Sequence, residues 1–253
     1  MKFMNTITSI FSSQQLAALD QIRIPRHVAI IPDGNRRWAK KAEEEYDKGH
    51  QVGASNLIEI VKAGKEIGIK ALTFYLFSTE NWSRSKEEVA ALMWLLQDFL
   101  KEHCLQMQEE GVRLKTIGNL EALPKEVLAV VEETMQATAD CSRIDMVLAL
   151  NYGSRDELRR AFHRILDSYS NGSLQKEEVT EKLIANYLDT SHWGDPDLLI
   201  RTSGEMRVSN FLLWQLSYAE IYVTELLWPE FKPIDLLNAV TDFQKRERRL
   251  GGT

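Results

Sequence analysis

HVAIIPDGNRRWA, at residues 27–39, joins an unbroken apolar run to a polar turn and the start of a helical pattern. Comparable apolar runs follow along the chain, at 70–77, 113–118, 144–151, 197–201 and 221–224. They are near-continuous rather than alternating, which is typical of strands buried on both faces of a parallel sheet. Helical patterns between most of them predict βαβ crossovers. We therefore expect an α/β fold with an open, mostly parallel six-stranded sheet flanked by helices.

Two helix starts are predicted by one spacing. Ser85 and Glu88 form the S-x-x-E pattern of a capping box, and the apolar periodicity that follows continues to about Glu110. Ser154 and Glu157 repeat this pattern and predict a second helix start. Both helices would lie between strands, as the βαβ interpretation requires.

The composition is that of an ordinary globular protein. The chain has 253 residues with 31 Lys and Arg against 37 Asp and Glu, and 44% of its residues are hydrophobic. No linker or repeat divides it, so we expect one domain over 1–253, with a helical lead-in at 1–25 and a C-terminal tail at 240–253. The acidic balance argues against nucleic acid as a partner.

Cysteine use and hydropathy indicate the compartment. Cys104 and Cys141 form no C-x-x-C pair, which favours a reduced, cytoplasmic protein. The first residues contain no unbroken apolar stretch, so we expect no signal peptide. The longest apolar run, Ala90–Leu96, is far below the ~18 residues of a membrane span, which leaves at most peripheral membrane contact.

The carboxyl ends of parallel strands are where α/β sheets bind ligands, and polar residues follow the first predicted strand. Gly34 lets the backbone approach a ligand closely, and Arg36 and Arg37 supply bidentate donors for phosphate. Asp33 would repel a bare phosphate, which suggests a shared divalent cation. The alternative for this turn is a capped helix start with solvated charges.

Two further polar clusters follow predicted strands. STENWSR at 78–84 combines hydroxyl, carboxylate, amide and guanidinium groups around a tryptophan, although it could also be a helix-capping loop. RTSGEMRVSN at 201–210 carries two arginines and several hydroxyls and is suited to a second phosphate, with an ordinary surface loop as the alternative. Glu220, before the sixth run, is either a second metal carboxylate or an ordinary glutamate at an element boundary.

These loops suggest an enzyme that acts on two phosphorylated substrates with Mg²⁺. The chain contains none of the H-E-x-x-H, Walker A, G-x-G-x-x-G and G-x-S-x-G motifs. Hydrolase and dinucleotide-enzyme interpretations therefore lack support.

Three stretches of the chain closely resemble the cis-prenyltransferase family, specifically bacterial isoprenyl transferases of the undecaprenyl diphosphate synthase type. They are HVAIIPDGNRRWA at 27–39, LTFYLFSTENWSR at 72–84 and DLLIRTSGEMRVSNFLLWQLSYAEIY at 197–222. The resemblance extends from His27 to the terminal RERRLGGT. It implies condensation of isopentenyl diphosphate with an allylic diphosphate, Mg²⁺ as cofactor and an apolar tunnel for the growing chain. Arg249-Leu250-Gly251 resembles an element that reaches a partner subunit, which implies a homodimer.

The resemblance also implies residue roles. Asp33 and Asn81 are the implied catalytic residues, and Asp33 and Glu220 the implied metal carboxylates. The residues implied to bind substrate are Gly34, Asn35, Arg36, Arg37, Trp38, Tyr46, His50, Ser78, Thr79, Glu80, Trp82, Arg84, Arg201, Arg207, Val208 and Ser209.

The chain departs from the family pattern at two positions. Tyr46 stands four residues before His50, where the family usually has an arginine, with Lys48 as an alternative source of positive charge. Leu76 replaces a small alanine found in many relatives, and we expect its larger side chain to shorten the product. Two other function classes stay open: a non-catalytic subunit that supports an active partner, and a phosphate-binding regulatory domain on the same fold.

Overall fold

A parallel sheet forms the centre of the fold in the computed structural model, which describes residues 9–247. Its strands are His27–Ile31 (β1), Ala71–Ser78 (β2), Val112–Ile117 (β3), Ile144–Tyr152 (β4), Leu198–Arg201 (β5) and Glu220–Val223 (β6). They lie in the order β3-β4-β2-β1-β5-β6, and every neighbouring pair is parallel. The predicted six-stranded α/β architecture is confirmed.

Helices flank this sheet. They are Ser13–Ala17 (α1), Asn35–Lys41 (α2), Tyr46–Ile67 (α3), Lys86–Glu110 (α4), Lys125–Ala137 (α5), Ser154–Ser170 (α6), Glu181–Asn186 (α7) and Pro233–Lys245 (α8). Within residues 9–247, no helix combines the length and the apolar character that crossing a bilayer requires. Residues 1–8 of the predicted lead-in, and the predicted partner-reaching element Arg249-Leu250-Gly251, lie outside the described residues.

The continuous apolar character of the central strands has a simple cause. Along β1, Val28 and Ile30 belong to the larger core beneath α3, α4 and α8, whereas Ala29 and Ile31 belong to a second core on the opposite face. Both faces of the strand are covered, so no position is left for a polar alternation.

The strand order places a ligand crevice between β1 and β5. The chain moves from β1 to β2 on one side, whereas β5 joins on the other side, which makes this a topological switch point. Ile31 is in register with Arg201, so the two strands end at the same level. The loops that follow them therefore meet.

The two predicted helix caps have different outcomes. Ser85 caps α4, with its Oγ accepting the Glu88 N–H at 3.2 Å. The predicted cap at Ser154 is wrong, because Gly153 is the cap residue and Ser154 is already helical and buried. The Ser154 Oγ accepts the N–H of Leu213 at 2.9 Å, and Glu157 is buried within other hydrogen bonds. The S-x-x-E spacing is present there, but tertiary contacts use both side chains.

Candidate active site

A cleft of about 840 Å³ opens where β1, β2 and β5 end. One end of it is polar, with the side chains Asp33, Asn35, Arg36, Arg37, His50, Ser78, Glu80, Asn81, Arg84, Arg155, Arg201, Ser209 and Asn210. The remaining wall is largely apolar, with Leu57, Leu76, Phe77, Leu92, Met93, Leu95, Leu96, Phe99, Leu150 and Trp228. The combination suits a ligand with a charged head and a long apolar body.

Asp33 is held at the polar end by the loop that follows β5. Its backbone N–H donates to Thr202 Oγ1 at 2.8 Å, and that hydroxyl donates to the Asp33 carbonyl at 2.7 Å. Arg201 Nη2 donates to Asp33 Oδ2 at 2.9 Å. Burial alone would raise the pKa of Asp33, but the hydrogen bond and charge of Arg201, with the charge of Arg37, outweigh burial and lower the pKa. The carboxyl group is therefore ionised at neutral pH.

Gly34 is required by the close approach of two chain segments. Its φ is +103°, and a Cβ atom here would lie 2.8 Å from Leu227 Cδ2 and 3.1 Å from Ser203 Cβ. The next residue, Asn35, lines the cleft with a buried Oδ1 that has no hydrogen-bond partner among the described residues. Gly53 of α3 leaves room for this oxygen, since its own Cβ would lie only 2.4 Å away. A buried unsatisfied amide oxygen is unusual and marks a place for a donor from a ligand or water.

The arginines of the first turn and of motif 78–84 are paired with carboxylates. Arg84 Nη1 lies 2.7 Å from Glu88 Oε1, and Arg36 Nη1 lies 3.5 Å from the same oxygen. Arg37 lies 3.3 Å from Glu205 and also donates to Ser203. These side chains are therefore clustered at the polar end, but each forms an ion pair with a carboxylate.

Motif 78–84 contributes both cleft-lining and supporting residues. Asn81 lines the cleft, and its Oδ1 accepts the Ser78 N–H at 3.0 Å, which fixes the orientation of the amide. Trp82 does not line the cleft but donates from Nε1 to Asn151 Oδ1 at 2.7 Å and packs edge-on against Phe77. Thr79 likewise lies beside the cleft rather than in its wall.

The loop after β5 is bent by left-handed backbone at non-glycine residues. Ser203, Ser209, Asn210 and Leu212 have φ of 73°, 49°, 62° and 46°. Such conformations cost free energy and persist only where the surrounding contacts enforce them, which is common at ligand sites. Here the hydrogen bonds of Arg201 hold the loop.

Arg201 is the centre of that loop. Its Nη1 donates to Ser209 Oγ at 2.9 Å and to the Arg207 carbonyl, and its buried Nε has no partner among the described residues. The Arg207 side chain is exposed and pairs with Glu205. Val208 packs against the second core. Four residues of 201–209 are implied to bind substrate. Arg201 and Ser209 line the cleft, whereas Arg207 and Val208 do not.

The three remaining residues implied to bind substrate, His50, Trp38 and Tyr46, are divided between the cleft and its surroundings. His50 lines the cleft, and burial, together with the charge of Arg84, lowers its pKa, so the imidazole is neutral at pH 7. Trp38 is half-buried on α2 and does not line the cleft. Tyr46 is the first residue of α3, and its side chain lies outside the described part of the chain.

Glu220 lies at the other end of the sheet. It is the first residue of β6 and is in register with Leu198, about five residues and ~16 Å along the strand direction from Asp33. Its Oε2 accepts from Arg246 Nη1 at 2.9 Å. One chain therefore does not bring Glu220 and Asp33 to the same ion. Over residues 9–247, no group of three or more His, Cys, Asp or Glu side chains could hold a metal by itself.

Of the polar side chains named above as lining the cleft, Arg155 and Asn210 are absent from the predicted set. Arg155 lies three residues after β4, behind Gly153 and the buried Ser154, and a polar residue at the carboxyl end of a parallel strand is the pattern that also predicts Asp33 and Arg201. The neighbouring Ser154 and Glu157 instead predict a helix cap at this point of the sequence. Asn210 carries no sequence signal beyond its place in the loop.

Comparison with known proteins gives consistent results. Residues 31–251 match the family model described as "Putative undecaprenyl diphosphate synthase". The chain is 48% identical over 232 residues to an isoprenyl transferase of Chlamydia trachomatis, covering 90% of this chain and 92% of the relative. It is 45% identical over 229 residues to an isoprenyl transferase of Bacillus cereus, covering 90% and 89%.

Two solved structures share the fold. Lavandulyl diphosphate synthase from Lavandula x intermedia, crystallised with dimethylallyl diphosphate, superposes with a TM-score of 0.88 at 34% identity, over 92% of this chain and all of that chain. A probable undecaprenyl diphosphate synthase from Campylobacter jejuni gives a TM-score of 0.76 at 32% identity, over 90% and 99%.

Proposed function

Because the chain belongs to the undecaprenyl diphosphate synthase family of isoprenyl transferases, we propose that it condenses isopentenyl diphosphate with an allylic diphosphate such as farnesyl diphosphate. The product would be a cis-polyprenyl diphosphate, undecaprenyl diphosphate or a shorter relative. The observation that carries this proposal is the cleft itself, in which a cluster of arginines around an ionised aspartate continues directly into an apolar wall.

The allylic diphosphate would bind at the turn after β1. Arg36 and Arg37 line this part of the cleft and supply guanidinium donors for the diphosphate oxygens. Departure of the diphosphate leaves an allylic cation and concentrates negative charge on the leaving group. Guanidinium donors fixed where this charge develops stabilise the transition state more than the ground state.

Magnesium fits the donor set at Asp33. Its Oδ2 accepts from Arg201 Nη2 at 2.9 Å, whereas its Oδ1 lies 3.6 Å from Arg37 Nη2. One carboxylate oxygen together with substrate phosphates is the binding mode that Mg²⁺ prefers. Bound there, Mg²⁺ would neutralise charge on the diphosphate. Glu220 could join it only from a second chain, and we therefore also propose the homodimer that the resemblance at Arg249-Leu250-Gly251 implies.

Asn81 is the proposed assistant in the final proton loss. After the new carbon–carbon bond forms, the condensation product must release one proton to restore a double bond. The Asn81 amide lines the cleft and is fixed by the Ser78 N–H at 3.0 Å. A fixed polar group at this point would select which proton leaves.

The growing chain would lie along the apolar wall formed by α3, α4 and β2. Each buried CH₂ group contributes ~0.8 kcal/mol, so each added five-carbon unit favours a dry binding surface. Leu92, Leu96 and Phe99 of α4 line this wall together with Leu76 of β2. The size of the Leu76 side chain would limit the length available to the product.

The proposal is tested by incubating the purified chain with labelled isopentenyl diphosphate, farnesyl diphosphate and Mg²⁺. We expect butanol-extractable label that depends on both substrates and is lost with EDTA. A folded chain that forms no extractable product under these conditions would contradict the enzyme assignment and favour a supporting, non-catalytic subunit.

A further inference from the structure

Arg155 lines the polar end of the cleft but has no role in the function proposed above. It is the second residue of α6 and follows β4 at the same edge of the sheet as the Asp33 and Arg201 loops. Its backbone N–H donates to Asn210 Oδ1 at 3.0 Å. Asn210 in turn donates from Nδ2 to Glu80 Oε1 at 2.8 Å. The backbone of Arg155 is therefore tied, through the Asn210 side chain, to both the loop after β5 and motif 78–84.

The guanidinium of Arg155 differs from the other four that line the cleft. Each of those has a carboxylate within 3.6 Å, in the pairs Arg36–Glu88, Arg84–Glu88, Arg37–Asp33 and Arg201–Asp33. The Arg155 guanidinium forms no hydrogen bond or ion pair with any residue in the described range 9–247. Its charge is thus the least compensated at the polar end.

The helix does not account for this arginine. A cation in the first turn is opposed by the partial positive charge of the helix N-terminus, so Arg155 gains nothing from α6. The next arginine along the same helix, Arg159, shows the usual arrangement, with its Nη2 bound to Asp156 Oδ1 at 2.7 Å. An uncompensated guanidinium beside a cleft is suited to an anionic ligand.

Resting on the proposed function, we propose that Arg155 binds the diphosphate of the incoming isopentenyl diphosphate. Two diphosphates must occupy one polar end, and the turn at Asp33 would hold the allylic one. We place Arg155 at the second diphosphate, because Asn210 joins it to the loop that carries Ser209, and the arginines and hydroxyls of 201–210 are suited to a second phosphate. It would supply a cation that no protein carboxylate already neutralises.

The matched variants are Arg155→Gln, which removes the charge, Arg155→Lys, which keeps it, and Arg159→Gln, a charge removal on the same helix. KM is measured for isopentenyl diphosphate at saturating farnesyl diphosphate, and then the reverse. We expect Arg155→Gln to raise the KM for isopentenyl diphosphate by about 10–100-fold, as loss of a charge-assisted hydrogen bond implies, with the KM for farnesyl diphosphate within about threefold. Arg155→Lys should be intermediate, and Arg159→Gln should match the unaltered chain.

Calorimetric titration with isopentenyl diphosphate alone separates this assignment from the proposed function. If the unaltered chain binds it and Arg155→Gln binds more weakly by a similar factor, the assignment holds even where no product forms, and only the proposed reaction fails. If product forms but Arg155→Gln behaves like Arg159→Gln, or raises both KM values equally, the assignment is overturned. If the unaltered chain neither binds nor turns over, both are overturned.

Discussion

Arg201 Nη2 donates to Asp33 Oδ2 at 2.9 Å and thereby joins the carboxyl end of β5 to the turn that follows β1. The Arg201 side chain is 5% exposed, whereas Asp33 is 30% exposed and faces the cleft. A buried cation thus holds a half-exposed carboxylate in its ionised form. The pair sets the charge state of the site before any substrate arrives.

Asp33→Asn tests the charge of this pair while keeping its shape. The amide oxygen can still accept from Arg201, so we expect a small change in Tm. Turnover should fall at least ~100-fold, because the negative charge that would hold Mg²⁺ is gone. Steady-state turnover and thermal unfolding are measured together, with Asp98→Asn on the exposed face of α4 as control. A large fall in Tm that accompanies the loss of turnover would make Asp33 a structural residue.

Gly34→Ala should destabilise the chain more than Gly172→Ala. Both glycines have positive φ, but only Gly34 has other atoms close to the position of the added Cβ. Gly172 has φ of +79° and no atom within 4 Å of its would-be Cβ, whereas at Gly34 the Leu227 side chain is 2.8 Å away. We expect a loss of about 1 kcal/mol for Gly172→Ala and about 3 kcal/mol for Gly34→Ala in urea unfolding. Equal losses would show that the close approach is not needed.

His27 makes stability depend on pH. Burial lowers the pKa of His27 to about 4 from its ordinary value of about 6.5, against the opposing hydrogen bond to the Gly194 carbonyl. The folded state therefore binds fewer protons than the unfolded state between these values, and stability is present above pH 6.5 and lost as pH falls toward 4. From pH 7.5 to 5.0, we expect this group to cost about 2 kcal/mol.

The measurement for His27 is the free energy of unfolding at both pH values, for the unaltered chain and for His27→Gln. Glutamine does not titrate, so the variant should lose about 2 kcal/mol less than the unaltered chain over the same interval. An identical pH dependence in the two chains would place the titration elsewhere.

Leu76→Ala should lengthen the products. Leu76 lines the apolar wall of the cleft and packs against the larger core, and the substitution removes three carbon atoms from that wall. We expect reverse-phase chromatography to show a shift of about one or two five-carbon units toward longer chains. Leu105→Ala, at an exposed position of α4, is the control. An unchanged distribution for Leu76→Ala would separate Leu76 from product length.

Sequence patterns predicted the sheet because the apolar runs are long enough to be buried on both faces, as the division of β1 between two cores shows. They also placed Asp33 and Arg201 at one edge of the sheet, since both lie at the carboxyl ends of parallel strands. The pairing of these two side chains could not be predicted, because it requires β5 to lie beside β1. Local sequence patterns do not determine the order of strands in a sheet.

The structure departs from the site prediction at Glu220, Trp82 and Arg155, and each departure has a physical reason. Glu220 begins a strand rather than following one, and in a parallel sheet this puts it at the opposite edge from Asp33. Trp82 is an aromatic residue of the kind often found in binding sites, but its indole N–H donates to Asn151 Oδ1 instead. Arg155 lies outside the predicted set because the neighbouring Ser154 and Glu157 have the spacing of a helix cap. In the structure both of these side chains are buried and accept hydrogen bonds from other groups.

The most direct test of the central claim is a crystal structure with Mg²⁺ and a non-reactive thiolodiphosphate analogue of farnesyl diphosphate. The account predicts the diphosphate within hydrogen-bond distance of Arg36 or Arg37, the metal on Asp33, and the farnesyl tail against Leu92 and Leu96. A diphosphate bound away from Asp33, or a tail directed into solvent, would contradict it.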